Sequence, residues 1–92
     1  MIIKCKRLGF INPTEVEANN KILVTQGLSI EDTSKLLKWY YNIPPYEPIY
    51  LEMPTKLYNS TRQRNRAACK SVAELFEEQD IKVVEEITIY KE

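Results

Sequence analysis

Histidine is missing altogether from these 92 residues. Its absence removes the commonest general base near neutral pH, the commonest metal ligand, and every nucleophile arrangement that pairs serine or cysteine with an imidazole. Glycine is almost as scarce. Gly9 and Gly27 are the only two, too few for a glycine-rich phosphate loop. Cysteine is limited to Cys5 and Cys69, which without histidine do not make a zinc site. No apolar run approaches the ~18 residues of a membrane helix. The opening MIIKCKRLGFIN carries charge too early and too short an apolar stretch for a signal peptide. The expectation is therefore a cytoplasmic protein with reduced thiols, without metal, cofactor or membrane association.

Thirteen basic and 13 acidic side chains cancel, so no global field steers the chain toward nucleic acid or anionic lipid. Any electrostatic function must be local. The carboxylate pairs Glu77-Glu78 and Glu85-Glu86 are adjacent in sequence. Neighbouring residues do not face each other on a helix and point opposite ways on a strand, so these pairs read as solvated charge. The expectation is a protein that is not an enzyme.

The length is that of one domain, spanning 1–92. Residues 2–9 predict a strand with Ile3 and Cys5 on one face and Lys4 and Lys6 on the other. Asn12-Pro13-Thr14-Glu15 has the residue types of a helix start and Gly27 those of a stop, which favours a helix over 13–26. Lys21–Thr25 also suits a strand, the alternative for that segment. Ser29 caps a second helix with Glu31 and Asp32 in its first turn, and Ile30, Thr33, Leu37, Tyr40 and Tyr41 form its apolar side. Pro44-Pro45 ends it, and residues 48–53 follow as a short strand. A long helix over 60–79, with Ala68, Val72, Leu75 and Phe76 buried, and a strand over 81–90 complete the chain. The whole reads as an α+β, small two-layer domain, with three or four short strands and two or three helices on one face.

Gln26-Gly27-Leu28-Ser29-Ile30-Glu31-Asp32 resembles the approach to the helix-turn-helix of transposases and resolvases. That family continues into a glycine turn and a recognition helix that enters the major groove. This chain continues into Trp39-Tyr40-Tyr41 and then Pro44-Pro45, so the resemblance stops at a capped helix start.

Two features remain. Lys56, Arg62, Arg64, Arg66 and Lys70 form a basic run with no acid among them. On a helix beginning near residue 60 these cations oppose the helix dipole, a placement that a bound anion would relieve. Tyr58 lies close enough in sequence to offer a stacking surface. The second feature is aromatic. Trp39 projects on the polar side of its helix, beside a diproline loop that carries Tyr46, and Trp, Tyr and Arg dominate interface hot spots. The alternative is that the diproline turn folds back over Trp39. The resulting expectation is a non-enzymatic protein-binding module, an inhibitor or adaptor of a host or defence protein encoded by a virus or mobile element. Its binding residues would be Arg62, Arg64, Arg66, Lys70, Trp39, Tyr46 and Tyr58. Nucleic-acid binding through the arginine run on phosphates is the alternative.

Overall fold

A computed structural model describes residues 1–9 and 12–86. Ten elements follow in the order β1 (Ile2–Arg7), β2 (Thr14–Ala18), β3 (Lys21–Thr25), α1 (Ile30–Tyr40), β4 (Ile49–Met53), α2 (Thr55–Thr61), β5 (Arg64–Asn65), β6 (Lys70–Ser71), α3 (Val72–Glu77) and β7 (Ile81–Glu85). Five strands make one mixed sheet in the order β3-β2-β1-β4-β7, and β5 and β6 pair separately. The hairpin strands β1, β2 and β3 are antiparallel, whereas β1, β4 and β7 run parallel. The α+β reading therefore holds, with a sheet wider than the three or four strands expected.

Alternation along each strand sorts the sheet into two faces. Ile3 and Cys5 of β1, Val16 and Ala18 of β2, Ile49, Leu51 and Met53 of β4, and Ile81 of β7 are all buried. They form one cluster with Leu37 and Tyr41 from α1 and its C-cap, Ile43, and Phe76 of α3. Both parallel steps, β1 to β4 and β4 to β7, move the same way across the sheet, and crossovers of one hand then place their helices on one face. Ser34 Oγ of α1 donates to the Gln79 carbonyl just after α3, at 2.9 Å, and so ties the two helices together. The opposite face carries charge. Reading one row across the five strands gives Ile22, Glu17, Lys4, Glu52 and Val84. Lys6 pairs with Glu17 at 2.9 Å on the same face. This ladder of alternating sign separates the apolar ends of the row and suits a face left to water.

The expected helix over 13–26 is instead the β2–β3 hairpin. Thr14, Val16 and Ala18 alternate inward, and Asn19 and Asn20 sit at φ 51° and 62°. A two-residue turn with both central residues left-handed matches the twist of the strands it joins, and asparagine tolerates that conformation. Thr14 is consumed as a clamp. Its Oγ1 accepts from the Gly9 N–H at 3.0 Å and donates to the Gly9 carbonyl at 2.9 Å. Gly27 stops no helix and lies in the lead to α1, which begins as expected. Ser29 Oγ accepts from the Asp32 N–H, and Glu31 and Lys35 pair at 3.2 Å.

The expected helix over 60–79 breaks into four pieces. α2 ends at Thr61, the β5–β6 hairpin follows, and α3 starts at Val72. Ala68, assigned to a buried stripe, is exposed, and Cys69 is an exposed turn residue at φ 55° rather than a helical core residue. The break is encoded by a true cap at Ser71, whose Oγ accepts from the Glu74 N–H at 3.1 Å. β7 begins where expected, with Ile81 buried. Ile87 and Ile89, assigned to its continuation, lie outside the described residues. Among those residues no helix is long and apolar enough to cross a membrane.

Replacing both turn asparagines with alanine should lower the urea midpoint by an amount equivalent to about 1–3 kcal/mol, because each left-handed non-glycine residue costs about 1–2 kcal/mol. Asn20→Gly alone should raise it slightly. An unchanged midpoint in the double variant would contradict the hairpin.

Candidate functional site

Two surfaces gather the residues singled out above. The first is the connection from α1 to β4. Trp39 is 75% exposed and Tyr46 88%, so the diproline turn does not fold over the indole. The connection is nevertheless held in place. Asn42 takes φ 53°, turning the chain after Tyr41. The Ile43 N–H donates to the Lys38 carbonyl at 2.8 Å and the Glu47 N–H to the Pro44 carbonyl at 3.0 Å. Lys38 Nζ donates to the Pro45 carbonyl at 2.7 Å and lies 3.8 Å from the Asp80 carboxylate. Ile43 is buried in the core, and Glu47 faces the N-terminal ammonium at 3.8 Å. Tyr40 and Tyr41, edge-to-face at 4.9 Å, turn the other way and donate to the carbonyls of Ile22 and Lys21 on β3. Of this aromatic group, then, Tyr40 and Tyr41 are structural, while Trp39 and Tyr46 face water from an anchored backbone.

The second surface is the β5–β6 hairpin. Every residue from Arg62 to Lys70 is exposed. The hairpin is short, pairing Arg64 with Ser71 and Asn65 with Lys70, and the Asn65 side chain accepts from the Ala67 N–H at 3.0 Å to shape the tip. Arg62 caps α2 and returns to Tyr58, with its guanidinium carbon 5.6 Å from the ring centroid and Nη1 3.2 Å from the hydroxyl. Lys70 is taken up by Glu78, and this contact raises its pKa. Arg62, Arg64 and Arg66 have no acid partner among the described residues. The premise that these cations oppose a helix dipole is overturned. α3 starts after them with Glu74 in its first turn, the favourable sign.

The structure thus brings Arg62 onto Tyr58 at the end of α2, with Arg64 and Arg66 following in the hairpin, and leaves Trp39 exposed near the end of α1 and Tyr46 exposed in the connection after it. Lys70 is adjacent to the first group but is neutralised locally. Sequence reasoning missed the hairpin, although Ser71-Val72-Ala73-Glu74 has the spacing of a helix-capping box and so marks a helix start eleven residues beyond Ser60.

The two thiols differ in kind. Cys5 is buried beneath the helices, and desolvation pushes its pKa up to about 12, only partly offset by a hydrogen bond with the Arg7 backbone. A thiol held protonated is a poor nucleophile. Cys69 stands exposed at the hairpin tip. Among the described residues no three side chains of the metal-ligating types come together. Searches against protein-family models, curated proteins and solved structures find no significant match to this chain.

A disulfide-exchange reagent should therefore modify one thiol quickly in the folded protein, lost in Cys69→Ser, and the second only on unfolding. Burial raises the pKa of Cys5 and of Tyr41, and carboxylate partners raise those of Lys6 and Lys70. A group whose folded pKa is raised supports the fold below its unfolded pKa and loses that support as pH rises toward the folded value. Stability should hold at neutral pH and fall from about pH 9 toward pH 12, the span of the Cys5 shift. A midpoint of unfolding that stays flat across this range would contradict the burial of Cys5.

Proposed function

We propose that this chain is a non-enzymatic protein-binding module, an inhibitor or adaptor, that docks through Trp39 and Tyr46. The observation that carries the reading is the exposure of two large aromatic side chains, Trp39 near the end of α1 and Tyr46 in the connection that follows, both on a backbone that is fixed. Water-exposed tryptophan forfeits burial worth roughly 1.5–3 kcal/mol for a large apolar side chain. Leaving one out in the folded monomer is economical when a partner covers it. A fixed backbone lowers the ordering cost of association, because the loop does not have to be immobilised on contact. Pro44, Pro45 and the Lys38 contacts supply that rigidity here. Tryptophan and tyrosine are also the side chains on which binding energy concentrates.

Chemistry supports the same reading from the other direction. Cys5 is locked in its protonated form. The depression that reaches it is lined by Lys4, Lys6, Glu52, Pro54 and Glu86. The carboxylates of the sheet's open face, Glu15 and Glu17, serve Lys6.

Partner capture should be compared between the wild-type chain, Trp39→Ala/Tyr46→Ala and Arg64→Ala/Arg66→Ala. The reading predicts a specific partner held by the wild type and the arginine variant and weakened about 30-fold or more in the aromatic variant, the scale of a hot-spot loss of ~2 kcal/mol. Trp39 is the only tryptophan, so its emission should shift to the blue when the purified partner is added. A partner that binds the aromatic variant as tightly as the wild type would refute this reading.

A further inference from the structure

A separate surface at the β5–β6 hairpin supports an inference that does not depend on the aromatic connection. We propose that the hairpin from Arg62 to Ser71 is a nucleic-acid contact: a small basic β-ribbon that engages the phosphodiester backbone of a duplex through Arg62, Arg64 and Arg66.

Three observations converge. The first is projection. Nine consecutive residues, Arg62 to Lys70, are exposed, and the hairpin contributes nothing to the buried cluster. Its ties to the rest of the fold are at its two ends, Arg62 on Tyr58 at one and Lys70 on Glu78 with the Ser71 cap at the other, which leaves the tip free to enter a partner. The second is the pattern of charge. Among the described residues Lys6, Lys35, Lys38 and Lys70 are matched to acids, while Lys4, Arg7, Lys21, Lys56 and Lys82 have no acid partner but are scattered along the chain, so the hairpin is where three such cations fall within five residues. The three hairpin arginines are left without an acid among the described residues. Arginine presents a planar fork of donors suited to phosphate oxygens. A net charge of zero limits long-range attraction and leaves a local footprint of about three contacts.

The third observation concerns shape and the neutral side chains. A two-stranded ribbon fits the groove of a duplex. Here the tip is built from Ala67, Ala68 and Cys69, small side chains that let the backbone approach closely. Gln63 and the side-chain amide nitrogen of Asn65 lie among the arginines and supply neutral hydrogen-bonding groups of the kind that contact phosphates and base edges. An acidic protein surface would also attract the arginines. Yet an interface of that kind needs an apolar centre, and the hairpin offers alanines where one would stand. Arg62 is ordered in advance by stacking on Tyr58, so it loses less freedom on contact than a free arginine would.

Fluorescence polarisation of labelled 20-base-pair DNA and RNA duplexes with the full chain, at 50 and 200 mM salt, tests this. Three phosphate contacts predict a log–log salt slope of about −2.7, which is a weakening of about 40-fold between the two salts. Arg64→Ala/Arg66→Ala should reduce the slope by about two contacts and weaken binding at low salt at least tenfold, whereas Arg64→Lys/Arg66→Lys should retain most of the slope. Trp39→Ala/Tyr46→Ala should bind as the wild type does, which separates this surface from the aromatic one. Circular dichroism confirms that each variant is folded. Binding to either duplex supports the proposal, and preference for one identifies whether the groove is that of DNA or RNA. No binding at low salt, a slope unchanged by the alanine variant, equal affinity for a single strand, or binding of poly-glutamate in place of both duplexes would each overturn it.

Discussion

One constraint organises this molecule: its helices cover a single face of a five-stranded sheet. The inward rows of β1, β2, β4 and β7 meet Leu37, Tyr41, Ile43 and Phe76 in one cluster, and burial of those side chains is the main term favouring the fold. The outward rows must then face water. Their alternation of glutamate and lysine across β2, β1 and β4 is the consequence, since an apolar outer face would invite a second sheet. Because the parallel strands β1, β4 and β7 need crossovers, the chain must also make two long returns over the covered face. The first is α1 and its diproline connection. The second is α2, the basic hairpin and α3.

Those returns are where both candidate surfaces arise. A crossover is free to carry more chain than coverage requires, and here it does so twice. In the first, Lys38 fastens the excess to Pro45 and Asp80, leaving Trp39 and Tyr46 outside. In the second, the excess becomes a ribbon between α2 and α3. The division of labour is visible in the tyrosines. Tyr40 and Tyr41 put their hydroxyls on β3 carbonyls, where they steady the outer strand, while Tyr46 four residues beyond Asn42 makes no such contact. An adaptor joining a protein to a nucleic acid would use the two returns separately.

Legibility followed periodicity where periodicity was unambiguous. Ile3 and Cys5 against Lys4 and Lys6, the Ser29 cap with Glu31 and Asp32 in its first turn, and the strand before Pro54 were all readable, because each rests on a local rule that tertiary packing does not override. The two errors share one cause. Both placed helix across a turn built without glycine. Asn19-Asn20 and Cys69 adopt left-handed backbone, a conformation that glycine usually announces. Asparagine gives a weaker signal and cysteine none. Around Cys69, arginine, glutamine and alanine are also good helix formers, so local propensity pointed away from the ribbon that packing and the Ser71 cap impose. The exposure of Trp39 was legible from helical spacing. That the diproline turn leaves it uncovered was not, because the deciding bond comes from Lys38, whose role depends on where the connection returns.

One closed core holds the sheet and the three helices while the basic ribbon stands outside it. Amide hydrogen exchange followed residue by residue tests it most directly, because protection tracks the cooperative unit to which each backbone group belongs. Slowest exchange is expected for the amides of β1, β4 and β7, and fast exchange from Arg62 to Lys70, with the extended-chain shifts of a short hairpin at Arg64 and Asn65. Protection of residues 62–70 at the level of the sheet, with helical shifts, would contradict it and return this segment to the core.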